Sequence, residues 1–332
     1  MRISVLGAGS WGTALSIILH SNGHDVTLWE FKRGYFKTLK RTRENKIYLP
    51  KVKIPKEIYI TNSLKEGCES QHMIILAVPS QFIRSVLVNM KKFNLSDTPL
   101  VSVAKGIEKD TLFTVSQIIQ DELPDIELKN IGVLSGPSHA EEVARKIPTA
   151  VVSASTDIYT AKQIQAAFIT SYFRVYHSTD LIGVELGGAL KNVIAIGAGI
   201  VDGAKFGDNT KAAIMTRGIA EISRIGVKIG AKPETFSGLS GVGDLIVTCM
   251  SQHSRNRYVG EQIGSGKKLK QVLKSMQMVA EGVATCQSTF ELARKHDVHT
   301  PIVDAVYGAL FLDKDPIKGT YELMSRDMKS EH

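Results

Sequence analysis

Lys191 is the one lysine in a long and otherwise apolar helical stretch, Val184-Glu-Leu-Gly-Gly-Ala-Leu-Lys-Asn-Val-Ile-Ala-Ile-Gly-Ala. On a helix, its neighbours three and four positions away are two glycines, an isoleucine and an alanine. An ammonium on so apolar a face loses water, which lowers its pKa. Such a lysine can exchange a proton with an alcohol or carbonyl oxygen near neutral pH. A lysine that extends its amine to solvent is the competing interpretation. The adjacent Asn192 could orient a substrate hydroxyl.

The segment Ser251-Gln-His-Ser-Arg-Asn-Arg predicts a helix start that binds an anion. With Ser254 as the N-cap, Arg255 and Asn256 fall in the first turn, where a cation opposes the helix dipole. A bound anion explains a basic residue there, and arginine suits phosphate because its guanidinium can donate two parallel hydrogen bonds. A simply solvated charge is the alternative.

Two further segments place polar residues after predicted strands. Lys105 closes the apolar run that begins at Leu100, and the carboxyl ends of strands in an open α/β sheet face the ligand crevice. We therefore expect Lys105 to point at a substrate, with a surface lysine on a loop as the alternative. In Ser135-Gly-Pro-Ser-His-Ala-Glu, the spacing of Ser138 and Glu141 predicts a capping box.

A dinucleotide fingerprint, Gly7-Ala-Gly-Ser-Trp-Gly, follows the first predicted strand directly and begins a helix. Gly7 would make the tight turn, Gly9 would let the backbone approach a pyrophosphate, and Gly12 would let helix and strand pack closely. The helix N-terminus adds free amides and a positive dipole end. The motif alone is weak, but its position between strand and helix supports it.

Glu30 ends the second predicted strand, and a carboxylate there bonds the adenosine ribose and favours NAD. Lys32 and Arg33 follow at once and could instead neutralise the 2′-phosphate of NADP. Glu30 and the two basic residues favour different cofactors. We therefore expect the protein to use both NADH and NADPH, and to accept NADH better than strictly NADP-dependent relatives do.

Strands alternate with helices in the first half, which predicts a parallel, doubly wound sheet. The predicted strands are Arg2–Leu6, Val26–Trp29, Met73–Val78, Leu100–Ala104, Ile131–Leu134, Ala150–Ala154 and Phe173–Tyr176. The predicted helices are Trp11–Asn22, Leu112–Leu123 and Ile158–Ile169.

Helical patterns dominate after residue 183, so we predict a dinucleotide-binding domain over 1–183 and a helical substrate domain over 184–332. The predicted helices there are Gly183–Val201, Asn209–Gly226, Arg255–Gly264, Leu269–Met276, Ala284–His296 and Pro301–Leu312.

Composition narrows the class of protein. The chain has 332 residues, which favours about two domains, and a net charge of +8. Its basic residues show no long run or aromatic interleaving, which favours attraction of small anions over nucleic-acid binding.

Three cysteines without close spacing fit a reducing compartment. The apolar window Ile182–Val201 contains charges and predicts a buried core helix. The nine histidines show no metal-ligand spacing, and we predict no metal.

Together these motifs resemble bacterial NAD(P)-dependent glycerol-3-phosphate dehydrogenase over nearly the whole chain. The matching segments are Gly7-Ala-Gly-Ser-Trp-Gly-Thr-Ala, Ala104-Lys-Gly-Ile-Glu, Leu134-Ser-Gly-Pro-Ser-His-Ala-Glu-Glu-Val, Gly187-Gly-Ala-Leu-Lys-Asn-Val-Ile-Ala-Ile-Gly, Gly241-Val-Gly-Asp-Leu and Ser254-Arg-Asn-Arg. Ordered segments of this kind are far more specific than any one of them. The run Glu30-Phe31-Lys32-Arg33 departs from the family, because relatives usually carry a basic residue where Phe31 stands.

The resemblance implies a Rossmann-like domain followed by a helical domain, and it implies roles for individual residues. Lys191 resembles the proton donor and acceptor, and Lys105 adds electrostatic stabilisation. Substrate positions correspond to Lys105, Gly136, Ser138, Lys191, Asn192, Asp244, Thr248, Ser254, Arg255 and Asn256. Cofactor positions, together with the fingerprint glycines and Glu30, Phe31 and Lys32, correspond to Ser10, Trp11, Lys105, Ala140, Arg255, Val279 and Glu281.

The implied reaction is reversible hydride transfer between NADH or NADPH and dihydroxyacetone phosphate, giving sn-glycerol 3-phosphate for membrane lipids. The implied setting is the cytoplasm, without a membrane span or nucleic-acid partner, with a homodimer possible. A related β-hydroxyacid or 6-phosphogluconate dehydrogenase is the alternative enzyme, although those lack the Ser254-Arg-Asn-Arg segment in this form. A non-catalytic dinucleotide sensor would keep the glycines but would not need Lys191, Lys105 and Asp244.

Overall fold

One mixed β-sheet organises the first half of the chain in the computed structural model, which describes residues 1–328 and 330–331. Its strands are β1 (Arg2–Leu6), β2 (Asp25–Trp29), β3 (Tyr59–Thr61), β4 (Met73–Leu76), β5 (Leu100–Ser102), β6 (Ile131–Ser135), β7 (Thr149–Ser155) and β8 (Phe173–Ser178). Their order across the sheet is β3-β2-β1-β4-β5-β6-β7-β8. Winding reverses between β1 and β4, which opens the crevice where doubly wound sheets bind ligands.

The central strands are apolar because both faces of the sheet are covered. All four residues of β4 are buried, and in β1 only Arg2 is exposed. The seven predicted strands are all present, with ends that differ by at most two residues. The short β3 escaped prediction because it is an edge strand of three residues whose Tyr59 is exposed.

The predicted doubly wound fold is confirmed, but the sheet is not parallel throughout. Strands β1 to β6 pair in parallel, but β7 runs antiparallel to β6, with Gly132 opposite Ser155 and Ser135 opposite Val152. Strand β8 then pairs in parallel with β7. An apolar run specifies burial on both faces but not strand direction, so the sequence pattern could not distinguish the two arrangements.

Helices cover the sheet in the first half. They are α1 (Ser10–Ser21), α2 (Arg33–Thr42), α3 (Leu64–Cys68), α4 (Ser80–Met90), α5 (Val115–Glu122), α6 (Ala140–Val143) and α7 (Ile158–Phe168). The predicted α1, α5 and α7 are confirmed, although α5 begins later than predicted because Thr114 forms a capping box with Gln117.

The second half is helical. Its helices are α8 (Leu181–Gly203), α9 (Asp208–Lys228), α10 (Pro233–Phe236), α11 (Asp244–Met250), α12 (Arg255–Gly264), α13 (Leu269–Ser275), α14 (Glu281–Lys295), α15 (Pro301–Phe311) and α16 (Pro316–Met324). All six predicted helices are present, whereas α10, α11 and α16 were not predicted. The domain boundary predicted after residue 183 falls in the first turn of α8 and stays a prediction.

Helix α8 is the core of this half, and glycines bring α12 against its backbone. A Cβ on Gly260 would lie 1.9 Å from the carbonyl oxygen of Ile196, and one on Gly199 would lie 2.0 Å from that of Arg257. Neither position has room for a side chain. This contact fixes the residues of α8 relative to the first turn of α12.

Among the described residues, α8 is the one helix long and apolar enough to cross a membrane. Its apolar window is entirely buried within the protein. The interpretation of Ile182–Val201 as a buried core helix is confirmed.

Candidate active site

A cavity of about 1070 Å³ lies between the carboxyl ends of the strands and the helical half. Most of the predicted site residues line it: Gly7, Gly9, Ser10, Trp11, Glu30, Phe31, Lys32, Lys105, Ser138, Ala140, Lys191, Asn192, Asp244, Thr248, Ser254, Arg255, Asn256, Val279 and Glu281. Gly12 and Gly136 lie behind this wall. Gly12 packs on the turn at Gly7, and the carbonyl of Gly136 accepts a hydrogen bond from Lys105.

Lys191 lies in the middle of α8 and its amine is buried in the cavity wall. Its Nζ donates to Asp244 Oδ1 at 2.5 Å and to Thr248 Oγ1 at 2.5 Å. The hydroxyl of Thr248 donates in turn to the backbone carbonyl of Asp244, 2.6 Å away. The expectation that Lys191 is desolvated is confirmed, and the alternative of an amine extended into solvent is wrong.

Lys105 reaches the same carboxylate from the sheet side. Its Nζ donates to Asp244 Oδ2 at 2.7 Å and to the carbonyl oxygen of Gly136 at 2.9 Å. Two ammonium groups therefore share one buried carboxylate, on separate oxygens. The expectation that Lys105 faces the crevice, instead of lying free on a loop, is confirmed.

Burial and the neighbouring charges of this cluster determine the pKa of Lys191. Burial lowers the pKa of Lys191 and the charge of Lys105 lowers it further, while Asp244 raises it, for a final value of about 8. Burial alone would raise the pKa of Asp244, but the two lysines outweigh it and the pKa is lowered. Asp244 therefore stays ionised, and Lys191 can gain or lose a proton near neutral pH.

Two buried asparagines connect α8 with α12 and with the sheet. Asn192 Nδ2 donates to the carbonyl oxygen of Lys105 at 2.8 Å, and Asn192 Oδ1 accepts from Asn256 Nδ2 at 2.8 Å. Asn256 Oδ1 accepts from the amide of Gly282 at 2.9 Å. Asn256 thus keeps one Nδ2 hydrogen for a ligand.

The glycine-rich turn fits a dinucleotide phosphate. Gly7 has a φ of +120°, which favours glycine, and a Cβ on Gly12 would lie 1.9 Å from the carbonyl oxygen of Gly7. A Cβ on Gly9 would meet nothing within 4 Å, so open space remains above the turn. The first α1 bond runs from Thr13 N to Gly9 O, and the preceding amides have no partner within the helix. Turn and helix together fit the pyrophosphate of NAD or NADP.

Glu30 lies at the cavity wall at the end of β2 and is largely buried. Its Oε1 accepts from the backbone amide of Lys32 at 2.8 Å. Burial raises the pKa of Glu30, against the opposing effect of Lys32. The carboxylate is therefore anchored to its own loop, next to the exposed side chains of Phe31 and Lys32.

The two predicted N-caps have different outcomes. Ser254 caps α12, since its side chain accepts from the amide of Arg257. The capping box of Ser138 and Glu141 is wrong: α6 begins at Ala140 with His139 as its N-cap, and Ser138 Oγ donates to the carbonyl oxygen of Gly136. Gly136 has a φ of +133°, and its turn binds the Ser138 hydroxyl that the motif predicted would cap the helix.

Arg255 and Glu281 are placed at the mouth of the cavity. Arg255 Nη1 donates to the carbonyl oxygen of Val279 at 2.8 Å, and its exposed guanidinium retains further donors. Glu281 Oε1 accepts from the amide of Ser80 at 2.8 Å, which joins α14 to α4 across the two halves.

Asn45 does not line the cavity but supports the glycine-rich turn, and sequence reasoning missed it. Its side chain is fully buried, and Nδ2 donates to the carbonyl oxygen of Ala8 at 2.8 Å and to Thr13 Oγ1 at 2.7 Å. Its Oδ1 accepts from Tyr35 OH at 2.5 Å and from the amide of the cavity-lining Tyr48 at 3.1 Å. Asn45 thus braces the glycine-rich turn, and no local motif marks it.

His139 was also missed, although it stands within a motif. It lines the cavity beside Lys191 and Lys105, and its buried Nε2 has no hydrogen-bond partner. Burial, followed by the two lysines, lowers the pKa of His139 to about 4. The imidazole is therefore neutral at pH 7.

Outside the cavity, Cys68, Cys249 and Cys286 are buried and free. Burial raises the pKa of Cys68 and of Cys249 to about 12. The described residues contain no group of three or more His, Cys, Asp or Glu side chains that could hold a metal ion. The expectation of no metal stays a prediction.

Comparison with known proteins gives matches along the whole chain. Residues 2–161 match the N-terminal part of the NAD-dependent glycerol-3-phosphate dehydrogenases, and residues 180–320 match the C-terminal part. A glycerol-3-phosphate dehydrogenase (NAD(P)+) from Salinibacter ruber is 50% identical over 330 residues, covering 99% of this chain and 97% of that protein. One from Chlorobium phaeobacteroides is 50% identical over 331 residues, covering 100% and 99%.

Solved structures agree with the sequence matches. The glycerol-3-phosphate dehydrogenase of Coxiella burnetii is 36% identical, with a TM-score of 0.93 and coverage of 98% of this chain and 99% of that chain. D-mandelate dehydrogenase, at 14% identity and a TM-score of 0.64, shares the fold alone. The matches do not favour the alternative of a β-hydroxyacid or 6-phosphogluconate dehydrogenase.

Proposed function

The chain belongs to the NAD-dependent glycerol-3-phosphate dehydrogenase family, and from that premise we propose how its own residues perform the reaction. The reaction is the reversible NAD(P)-dependent reduction of dihydroxyacetone phosphate to sn-glycerol 3-phosphate. The observation that carries the assignment of residues is the buried Lys191 amine in the cavity wall, bonded to Asp244 and Thr248.

Binding of the cofactor falls to the sheet side. The amides that begin α1, the open space over Gly9 and the carboxylate of Glu30 would hold the dinucleotide, with Ser10, Trp11, Phe31, Lys32, Ala140, Val279 and Glu281 around it. Bound there, the nicotinamide would donate the hydride to the substrate carbonyl carbon or take it back from the alcohol.

The phosphate of the substrate is bound from the helical side. Arg255 and Asn256 in the first turn of α12, capped by Ser254, keep unused N–H donors at the cavity. Ser138 and Asn192 also line the cavity, and the carbonyl oxygen of Gly136, behind the wall, accepts hydrogen bonds from Ser138 and Lys105. Fixing the phosphate holds the carbonyl carbon in place for the transfer, which removes much of the entropic barrier.

Lys191 supplies the proton. As hydride reaches the carbonyl carbon, charge develops on the carbonyl oxygen, and the Lys191 ammonium donates a proton to it. Lys105 stabilises the same negative charge without donating its own proton. In the oxidative direction neutral Lys191 accepts the proton of the alcohol. With a pKa of about 8, Lys191 is mainly protonated at pH 7, so reduction should weaken as the pH rises past that value.

Kinetics on a Lys191→Met variant test this assignment. Methionine preserves length and bulk but cannot donate a proton, so turnover of dihydroxyacetone phosphate should fall on the order of 10³-fold while NADH affinity stays within a factor of about two. Lys228→Met, which changes an exposed lysine on α9, is the matched control and should behave as the parent. Normal turnover in the Lys191 variant would remove the catalytic assignment.

The roles of the two domains, the cellular location, the metabolic role and the oligomeric state are proposed from the family. Residues 1–183 bind the dinucleotide and 184–332 complete the substrate site. The enzyme works in the cytoplasm, where its three free cysteines suit a reducing environment, and supplies the glycerol phosphate backbone of membrane lipids.

A homodimer is proposed, and exposed apolar side chains of α16 such as Tyr321 and Met324 provide a surface for one. Light scattering on the purified chain tests the dimer.

A further inference from the structure

Although the basic residues form no uninterrupted run, the net positive charge of the chain is concentrated in one short segment, which sequence reasoning missed. Residues 32–57 contain ten lysines and arginines against two glutamates, a net charge of +8. This equals the net charge of the whole chain, because the other 306 residues carry 31 basic and 31 acidic side chains. We call residues 32–57 the basic lobe.

Nearly all of this charge faces solvent. Arg43 is half-buried and donates to the carbonyl oxygen of Ile58 at 2.6 Å. The remaining nine basic residues are exposed: Lys32, Arg33, Lys37, Lys40, Arg41, Lys46, Lys51, Lys53 and Lys56. Within the described residues, Lys53 alone among these nine forms an ion pair, with Glu44 at 2.8 Å. The charge is therefore not neutralised within the fold.

The basic lobe is a folded surface and not a tail. Leu49, Ile54 and Ile58 are buried beneath it, and Arg43 bonds the end of α2 to the loop that follows. The amide of Ile54 donates to the carbonyl oxygen of Arg43 at 2.8 Å, and the buried Asn45 anchors the loop to α1. The exposed cations are thus held on a fixed frame at the β3 edge of the sheet.

We propose that the basic lobe docks this enzyme onto the surface of an anionic phospholipid bilayer. Concentrated, unpaired cations of this kind are attracted by the negative potential of such a surface. Seven of the nine exposed residues are lysines, which act as point charges and suit a diffuse array of headgroups better than bidentate recognition of one phosphate.

Apolar side chains among the lysines support a bilayer over a purely polar polyanion. Ile47 is 48% exposed directly after Lys46, and Tyr59 is 48% exposed, with the Lys40 amine 6.0 Å from its ring. An exposed aliphatic group and an amphipathic ring beside cations are typical of surfaces that rest in the headgroup region. The proposal rests on this surface alone and does not depend on the reaction assigned above.

Vesicle co-sedimentation of the full chain tests the proposal. The probe is phosphatidylcholine vesicles with and without phosphatidylglycerol, at low and at raised salt. The lobe variant changes Lys37, Lys46, Lys51 and Lys56 to glutamine. The control variant removes the same charge elsewhere, by changing the exposed Lys162, Lys228, Lys270 and Lys274 to glutamine. The kcat for dihydroxyacetone phosphate reports whether each variant is folded.

The parent and the control variant should bind phosphatidylglycerol vesicles at low salt and release them as salt rises. A lysine near such a surface changes partitioning about 5-fold, so the loss of four lysines should weaken binding of the lobe variant by roughly 600-fold. Equal binding of the two variants, or equal binding to pure phosphatidylcholine, overturns the proposal.

Two other results would also overturn it. If lobe-dependent binding occurs with duplex DNA but not with the vesicles, the partner is a nucleic acid. If vesicles are not bound but the lobe variant alone loses kcat/KM at low ionic strength, the lobe steers anionic reactants to the cavity instead.

Discussion

The two walls of the cavity differ in how the chain builds them. The sheet wall comes from residues that are close in sequence: Gly7 and Gly9 lie in one turn that leads into α1 and presents backbone amides. The helical wall depends on side chains that are distant in sequence, since Asp244 meets Lys191 from 53 positions away and Lys105 from 139 positions away.

This difference has an energetic consequence. Backbone donors of the turn are fixed by local conformation and survive most side-chain changes. The two charges of the helical wall, Lys191 and Asp244, are buried together and pair with Lys105 from the sheet side, and removing one partner of such a cluster leaves an uncompensated charge in a low-dielectric site. We therefore expect single substitutions in the helical wall to reduce turnover most, because they disturb proton transfer. Substitutions in the sheet wall should instead change the affinity for the cofactor.

Asp244→Asn should give the largest effect of the substitutions that compare the two walls. Asp244 raises the pKa of Lys191, so a neutral amide should lower that pKa below about 8. Less of the ammonium would remain at pH 7, and turnover of dihydroxyacetone phosphate should fall on the order of 100-fold. The pH profile of kcat is the measurement, and its descending limb should move to lower pH.

The matched control for this prediction is Asp202→Asn. Asp202 also binds two cations, Lys211 at 2.5 Å and Arg257 at 2.6 Å, but it does not line the cavity. Its loss should reduce stability without moving the pH profile. An unchanged limb in Asp244→Asn would show that the carboxylate does not set the proton affinity of Lys191.

Much of the fold could be predicted because its signals are local. Apolar runs mark β1 and β4, and helical periodicity marks α8 and α9. The direction of β7 could not be predicted, since burial on both faces is compatible with either direction. The short α10 and α11 are set by packing against α8, and a weak local pattern does not reveal them.

The same distinction holds in the candidate site. The glycine-rich turn and the Ser254 N-cap were visible because neighbouring residues define them. The partners of Lys191 were not visible from its own sequence neighbours, and only the family resemblance drew attention to Asp244. Asn45 shows the limit most clearly, because an isolated asparagine gives no signal until tertiary contacts place it against Ala8 and Thr13.

Asn45→Ala sharpens the comparison from the sheet side. The side-chain hydrogen bonds of Asn45 are lost, including those to the carbonyl oxygens of Ala8 and Gly9. The glycine-rich turn then loses its support, so the KM for NADH should rise about 10-fold, with a stability loss of about 1–3 kcal/mol. The KM for dihydroxyacetone phosphate and kcat should change little. Steady-state kinetics with each reactant varied, alongside thermal unfolding, measure both effects.

Asn130→Ala separates positioning from simple destabilisation. Asn130 Nδ2 donates to the carbonyl oxygen of Ser96 at 2.9 Å, and neither residue lines the cavity. This control should lose stability while keeping the KM for NADH. If both variants raise that KM equally, Asn45 has no specific role in positioning the turn.

Glu30→Gln should give the smallest effect, and it tests whether the negative charge of Glu30 in the sheet wall disfavours NADPH. The carboxylate is fixed by the Lys32 amide and would repel the 2′-phosphate of NADPH, whereas glutamine can keep that bond without the charge. We expect kcat/KM with NADPH to rise about 5-fold, and that with NADH to fall slightly because neutral hydrogen bonds to the ribose are weaker. Parallel assays with the two cofactors give the ratio.

Acid should imitate this substitution in the parent enzyme. Burial raises the pKa of Glu30, so this carboxylate becomes protonated at a higher pH than an exposed glutamate does. Lowering the pH should therefore raise the ratio of kcat/KM with NADPH to kcat/KM with NADH. In Glu30→Gln, the part of this pH dependence that comes from Glu30 should disappear. Glu57→Gln removes the same charge from an exposed site in the basic lobe and should leave the cofactor ratio unchanged. A ratio that responds equally to Glu57→Gln would mean that the net charge of the lobe, and not the anchored carboxylate, decides which dinucleotide is preferred.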